Sequence, residues 1–202
     1  MTGRIPFPTR AEMTPDQQQV HDSVISGPRG EIIGPLRAAI HNPELARRWS
    51  ALGEILRFGT GLPKRITELA ILVTGRRWTS QIEYLVHARA AAAAGISEAA
   101  IEAIRVGQAP TLMDDEAEAY EFARQLQHTG QVPLPAYQAI VSRWGAKGAV
   151  ELTAVIGYYT MVSMTLNAHE IPLPEGETAP LERLPGEALV NLPAALQPVS
   201  LT

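Results

Sequence analysis

The stretch that decides the fold runs from residue 63 to residue 95 and reads PKRITELAILVTGRRWTSQIEYLVHARAAAAAG. Its first part begins at Pro63 and has Gly75 near its end, and between them apolar residues recur at intervals of three and four, as in an amphipathic helix. A second helix is predicted from Trp78 to Ala94, because a glycine follows it. Two successive helices of this length predict a helical core.

The same punctuation recurs along the chain. Thr14-Pro15 and Asn42-Pro43 each place a capping residue before a proline, which is a signal for the start of a helix. Further helices are predicted at 98–106, 114–128, 135–144 and 149–168. The last of these is so broadly apolar that we expect it to be buried on several sides. Since no alternating run of strand type is present, the sequence predicts an all-α fold, a bundle of about eight helices.

The composition changes after residue 171. Six of the 16 prolines fall within the last 31 residues, where no helical period is visible. We therefore divide the chain into a helical domain, 1–171, and a Pro-rich C-terminal arm, 172–202. The arm contains too many leucines for a free linker. It is expected to extend from the domain, either loose or lying across a neighbouring subunit.

The composition also excludes several classes of function. The 202 residues are 46% hydrophobic and 19% charged, and a chain of this size and composition can bury a hydrophobic core without disulfides or structural metal ions. The chain has no cysteine, which excludes disulfides, dithiol redox chemistry and cysteine nucleophiles. A net charge of −4 suits no nucleic-acid partner. We find no signal peptide and no uninterrupted run of 18 apolar residues, so we expect a cytoplasmic protein without a membrane partner.

The candidate chemistry lies at Ser80, Glu83 and His87, which are spaced i, i+3 and i+7 and so share one helical face. A carboxylate beside an imidazole favours the charged ring, and the pair can exchange protons near neutral pH. Glu68, on the preceding helix, would add a second carboxylate if it faces the same pocket. Burial would then raise the pKa of one of the two carboxyl groups.

Simpler interpretations also fit these residues. A Glu–His pair four residues apart is often only a surface contact, Ser80 is an ordinary residue near a helix start, and Glu68 could simply favour the helix dipole. The five histidines are not spaced as metal ligands relative to one another, and we expect no metal. Arg76 or Arg77 could meet a substrate carboxylate, although arginines at a helix end more often serve the helix dipole.

Between about residues 30 and 172 the sequence resembles the carboxymuconolactone decarboxylase family, which includes the AhpD-type alkylhydroperoxidases. The resemblance rests on an ordered series of short segments rather than on one motif. These segments are 42–46, 56–63, 68–72, Glu83 with His87, 94–97, 151–153, 157–159 and 166–168.

The peroxidase branch of that family carries a CxxCxxxH motif and an upstream glutamate. His87 takes the position of the histidine and Glu68 that of the glutamate, whereas Ser80 and Glu83 stand where the cysteines would be. A serine and a glutamate cannot cycle between dithiol and disulfide, so dithiol peroxidase activity is excluded. The resemblance implies an AhpD-like helical bundle, a homo-oligomer (trimer or hexamer), and no cofactor.

With dithiol peroxidase activity excluded, the resemblance implies a cofactor-independent lyase of the carboxymuconolactone decarboxylase type. Its substrate would be a small carboxylated lactone or ring-cleavage product of aromatic catabolism. In that reaction His87 would donate the proton, Glu83 would orient it, Glu68 would be a second acid or base, and Ser80 would bind the substrate. An isomerase or hydrolase on the same scaffold, or a non-catalytic oligomeric binding protein, remains an alternative. Two carboxylates would repel an anionic substrate unless one is protonated or a cation compensates.

Overall fold

The structure, a computed structural model, describes residues 3–27, 30–32 and 34–182. Within these residues the fold contains eight α-helices and no β-strand, as the sequence predicts. A single 3₁₀ turn precedes the first helix. The helices are α1 (Pro15–Ser26), α2 (Leu36–Ala39), α3 (Pro43–Phe58), α4 (Lys64–Arg77), α5 (Gln81–Ala93), α6 (Glu98–Arg105), α7 (Asp114–Thr129) and α8 (Leu134–Ala168).

Side-chain caps mark the starts of α1, α3 and α6. Thr14 accepts a hydrogen bond from the backbone of Gln17, and Asn42 accepts one from the backbone of Leu45, so α1 and α3 begin where the sequence predicts. The predicted start of α5 at Trp78 is wrong: the chain turns at Thr79, whose φ is +48°, and the helix begins at Gln81, with Ser80 at the N-cap position. The helix break predicted near Gly145 is present, because that glycine has φ +69° inside α8.

The centre of the molecule is α4 rather than α8. All residues of α4 from Ile66 to Arg76 are buried, and α4 packs against α5, α7 and α8. By contrast, α8 leaves one apolar stripe exposed, which includes Val150, Met161 and Met164. Because α8 packs against α3, α4, α5 and α7, the expectation that it is buried on several sides is met, apart from this exposed stripe.

The length and composition of α8 would allow it to cross a membrane, contrary to the expectation from the sequence. Half of its most apolar window is buried inside the bundle, as in the core helix of a soluble protein. Such a helix is weak support for a membrane span.

The beginning of the C-terminal arm lies on its own domain. Leu181 is buried against residues of α4, α5 and α6, and its backbone N–H and C=O both pair with the side-chain amide of Gln81 at 2.9 Å. Arg105 donates to the carbonyl of Pro180, and Arg89 pairs with Glu177. The arm from residue 183 onward lies outside the described residues.

Candidate functional site

The structure brings Glu68, Glu83 and His87 together where α4 and α5 pack. Nδ1 of His87 is 2.6 Å from Oε2 of Glu68, within hydrogen-bond distance. Nε2 of His87 is 3.2 Å from Oε2 of Glu83, but that contact is too poorly aligned to be a good hydrogen bond. The imidazole therefore lies between two carboxylates, with a tight contact to Glu68 and a loose contact to Glu83.

All three side chains of this trio are shielded from water. Their exposed fractions are 1% for Glu68, 8% for Glu83 and 4% for His87. A surface Glu–His pair would be largely solvated, so the simpler interpretation of the i, i+4 spacing does not apply here. In a dry site the interaction between these charges is several-fold stronger than it would be in water.

The electrostatics of the trio place the proton on the imidazole. Burial by itself would lower the pKa of His87, but the hydrogen bond with Glu68 and the contact with Glu83 outweigh it and raise the pKa to about 9. Burial also acts to raise the pKa of Glu68, yet His87 and Lys64 together lower it. The predicted upward shift of a carboxyl pKa is therefore wrong for Glu68, because its two cationic neighbours outweigh burial.

Lys64 is a fourth member of this site that the sequence argument missed. Its ammonium is 2.7 Å from Oε1 of Glu68, the carboxylate oxygen that does not face His87. The side chain is 47% exposed, so it joins the buried trio to the molecular surface. The signal was present in the sequence, because Lys64 and Glu68 are four residues apart on one helix.

Tyr159 of α8 forms a wall of the site. Its ring meets the imidazole of His87 edge to face, with the centroids 4.9 Å apart, and the ring of Tyr158 lies behind it. Burial raises the pKa of Tyr159 well above its usual value, and nearby Glu83 adds to that rise. The Tyr159 hydroxyl therefore stays protonated at neutral pH.

Ser80 is the N-cap residue of α5 and is fully buried. Its hydroxyl has no hydrogen-bond partner among the described residues. A buried hydroxyl without a partner is uncommon, because the desolvation cost is not recovered. Ser80 lies one turn before Glu83 on the helix that carries the site.

Arg76 and Arg77 are directed toward other helices. Arg76 donates to the carbonyl of Arg105 at the end of α6, and Arg77 donates to the carbonyl of Gln127 near the end of α7. These contacts fit the interpretation that they serve helix ends, which carry partial negative charge.

Among the residues that the structure describes, no group of three or more potential ligands is arranged to hold a metal ion. A buried, charged imidazole between two carboxylates can hold, release and recover a proton near neutral pH.

Comparison with known proteins gives matches in structure but not in sequence. No family model matches the chain, and no curated protein matches it. Among solved structures, the AhpD core of a peroxidase-related protein from Ralstonia eutropha JMP134 aligns with a TM-score of 0.69 at 16% identity, covering 86% of this chain and 93% of that one. A peroxidase-related protein from Silicibacter sp. TM1040 aligns with a TM-score of 0.69 at 17% identity, covering 84% and 91%.

A further match is the debrominase Bmp8 in complex with 2,3,4-tribromopyrrole. It aligns with a TM-score of 0.66 at 14% identity, and the alignment covers 89% of this chain and 95% of the debrominase. These similarities show that the chain has the AhpD-like fold. The fold predicted from the sequence is confirmed.

Proposed function

We propose that the protein is a cofactor-independent lyase of the carboxymuconolactone decarboxylase type, which acts on a small carboxylated lactone or a related ring-cleavage product. The observation that carries this proposal is the buried imidazole of His87 between the carboxylates of Glu68 and Glu83. Such an arrangement holds a proton at neutral pH in a site that excludes water. The fold supports catalysis as well, because a similar structure is that of a debrominase.

The distances favour a division of roles between the two carboxylates that differs from the sequence-based expectation. The short contact to Nδ1 and the support from Lys64 make Glu68 the group that orients the imidazole. The longer contact leaves Nε2 and Glu83 as the end of the trio that can exchange a proton with a substrate. Glu83 stands at a position of the family motif where a cysteine would act.

In the proposed reaction the substrate carboxylate leaves as CO₂. The electron pair of the broken carbon–carbon bond enters the conjugated lactone carbonyl and forms a dienolate. The imidazolium of His87 then supplies the proton that carbon receives, either directly from Nε2 or through Glu83. The unpaired hydroxyl of Ser80 is a donor for the substrate or for the dienolate oxygen.

An isomerase or hydrolase could use the same proton-transfer groups, and the product distinguishes these reactions. An isomerase would shift a double bond without loss of carbon, and a hydrolase would open the lactone. The alternative of a non-catalytic binding protein is disfavoured, because a solvent-facing Glu–His pair would be expected and the trio is buried.

The test is CO₂ release from a panel of lactone acids by the full chain. Turnover by the wild type and its loss, by at least a hundredfold, in His87→Gln and Glu83→Gln would support the proposal. His128→Gln is the matched control, since His128 lies on α7, a helix that carries none of the trio, and it should retain activity. Full turnover in His87→Gln would contradict the mechanism, and retention of the carboxylate in the product would indicate an isomerase or a hydrolase instead.

A second assay addresses peroxidase chemistry. Because the chain has no cysteine, reduction of a hydroperoxide with a dithiol as electron donor should be undetectable. The measurement is loss of hydroperoxide above the rate of an enzyme-free blank. Turnover that saturates with hydroperoxide would contradict the argument.

We also propose that the protein is a cytoplasmic homo-oligomer, a trimer or a hexamer. Support comes from apolar side chains that α3 and α8 leave exposed. They are Leu45, Leu52, Ile55, Val150, Met161 and Met164. Exposed apolar surface of this kind is typical of interfaces between subunits. Light scattering coupled to size-exclusion chromatography gives the subunit number, and a monomer at micromolar concentration would contradict this part of the proposal.

A further inference from the structure

Lys64 lies at the edge of the trio and has a donor to spare. Its ammonium contacts Oε1 of Glu68 at 2.7 Å and donates to the carbonyl of Arg57 at 3.2 Å. An ammonium carries three N–H donors, so these two acceptors leave one donor for a ligand. Because Lys64 is half-exposed, that donor is accessible from the surface beside the trio.

That surface carries an aromatic ring that two cations approach. Phe58, the last residue of α3, is 53% exposed. The guanidinium of Arg57 lies 5.3 Å from the centroid of its ring, and the ammonium of Lys64 lies 5.9 Å from it. The exposed part of the ring offers apolar contact surface to a planar molecule, and the two cations over the ring lie close to any group bound there.

The charges of the site and of this edge add up in favour of an anion. The carboxylates of Glu68 and Glu83 are balanced by the charged forms of His87 and Lys64. Arg57 then contributes one further positive charge. Its field reaches the interior, because it opposes the rise that burial and Glu83 produce in the pKa of Tyr159. A negatively charged molecule that approaches the edge is therefore attracted to it.

We propose that Lys64, with Arg57 beside it, binds the carboxylate of a small planar substrate whose ring lies on Phe58. This inference rests on the proposed function and specifies the substrate as a flat, singly or doubly charged acid. Repulsion between the two buried carboxylates and an anionic substrate would be offset, because the substrate carboxylate would contact Lys64 and Arg57 rather than Glu83. Lys64 would then contact both the substrate and Glu68.

The experiment uses benzoate as the probe and benzamide, its uncharged counterpart, with the full chain in its native assembly. Affinity is measured by isothermal titration calorimetry for the wild type and for Lys64→Gln, Lys64→Arg and Lys147→Gln. Lys147 is the matched control, because it also pairs with a glutamate four residues later, on α8. We expect benzoate to bind the wild type and Lys147→Gln equally, and Lys64→Gln about tenfold more weakly.

Two further results are expected. Lys64→Arg should recover most of the benzoate affinity, because it keeps the charge, and benzamide should bind the wild type at least about tenfold more weakly than benzoate. If Lys64→Gln proves too unstable to assay, Arg57→Gln and Phe58→Ala serve instead. Arg57→Gln removes a flanking charge and Phe58→Ala removes an exposed ring, and each should weaken benzoate binding several-fold.

The proposal is overturned if benzoate does not bind the wild type at millimolar concentration, if Lys64→Gln binds it as tightly as the wild type, or if benzamide binds equally well. Because these measurements need no turnover, they are independent of the reaction. Benzoate binding that depends on Lys64, combined with full turnover in His87→Gln, would leave the binding site standing and remove the proposed mechanism.

Discussion

Two Lys–Glu pairs with the same spacing occupy very different surroundings in this molecule. Lys64 and Glu68 lie on α4, and Lys147 and Glu151 lie on α8. The ammonium and carboxylate are 2.7 Å apart in the first pair and 3.7 Å apart in the second. The Glu68 side chain is 1% exposed and that of Glu151 is 17% exposed.

The third partner of each glutamate explains the difference. Glu68 reaches inward to the imidazole of His87, whereas Glu151 accepts a hydrogen bond from the backbone N–H of Gly61 in the loop between α3 and α4. The first pair therefore belongs to a buried chain of charges, and the second pair holds a loop. Identical spacing on a helix does not determine the role, because burial and the third partner do.

The largest expected contrast between the pairs comes from removing one carboxylate charge. Glu68→Gln leaves the charge of His87 with one loosely aligned carboxylate in a buried site, so we expect a loss of about 3–5 kcal/mol in the free energy of unfolding. Glu151→Gln should cost less than about 1 kcal/mol, because the amide oxygen can still accept from Gly61. Urea denaturation of both variants measures the difference, and equal losses would remove the contrast.

Changing the pH should separate the two regions next. The pKa of His87 is raised from 6.5 to about 9, so its contribution to stability is fully present below pH 6.5 and is lost as the pH rises through 9. We expect the free energy of unfolding to fall by about 3 kcal/mol over that range. Urea denaturation at pH 6 and pH 9.5 checks this.

The lowered pKa of Glu68 makes the free energy of unfolding fall at acid pH instead. The stability that Glu68 contributes is present above its usual pKa of 4.5 and is lost as the pH falls below that value. Stability should therefore be greatest between about pH 4.5 and 6.5 as far as this pair is concerned. His87→Gln is the control, and a stability profile that keeps its alkaline slope in that variant would assign the slope to another group.

The smallest effect is expected at the exposed end of the α8 pair. Lys147 is 76% exposed and 3.7 Å from Glu151, so Lys147→Ala should change the free energy of unfolding by no more than about 0.5 kcal/mol. A thermal unfolding scan at low and high salt measures it. A loss above about 2 kcal/mol would show that the α8 pair carries as much stability as a buried pair does.

The sequence predicted those parts of the fold that depend on neighbouring residues. Thr14 and Asn42 cap their helices through hydrogen bonds that span three residues, so the starts of α1 and α3 could be read directly. The start of α5 could not, because it depends on a left-handed turn at Thr79 that no glycine marks. The four-residue helix α2 was also missed, since it is too short to show a period.

The candidate site likewise has contacts that follow from local spacing and contacts that depend on how the helices pack. The contact between Glu83 and His87 follows from spacing on one helix, whereas the approach of Glu68 and Tyr159 depends on how α4 and α8 pack against α5. Spacing also could not give the direction of the carboxyl pKa. Burial favours the protonated acid, and only the positions of His87 and Lys64 show that two cations outweigh it.

The two hydrogen bonds between the Gln81 side chain and the Leu181 backbone connect the start of the C-terminal arm to the helix that carries the candidate site. Gln81 is the first residue of α5, which carries Glu83 and His87. Its Nε2 donates to the carbonyl of Leu181, and its Oε1 accepts from the N–H of Leu181. Proteolysis ahead of residue 181 would strip those partners from the first turn of that helix. A shortened protein ending near residue 172 should therefore lose amide-exchange protection at the start of α5, well away from the cut itself.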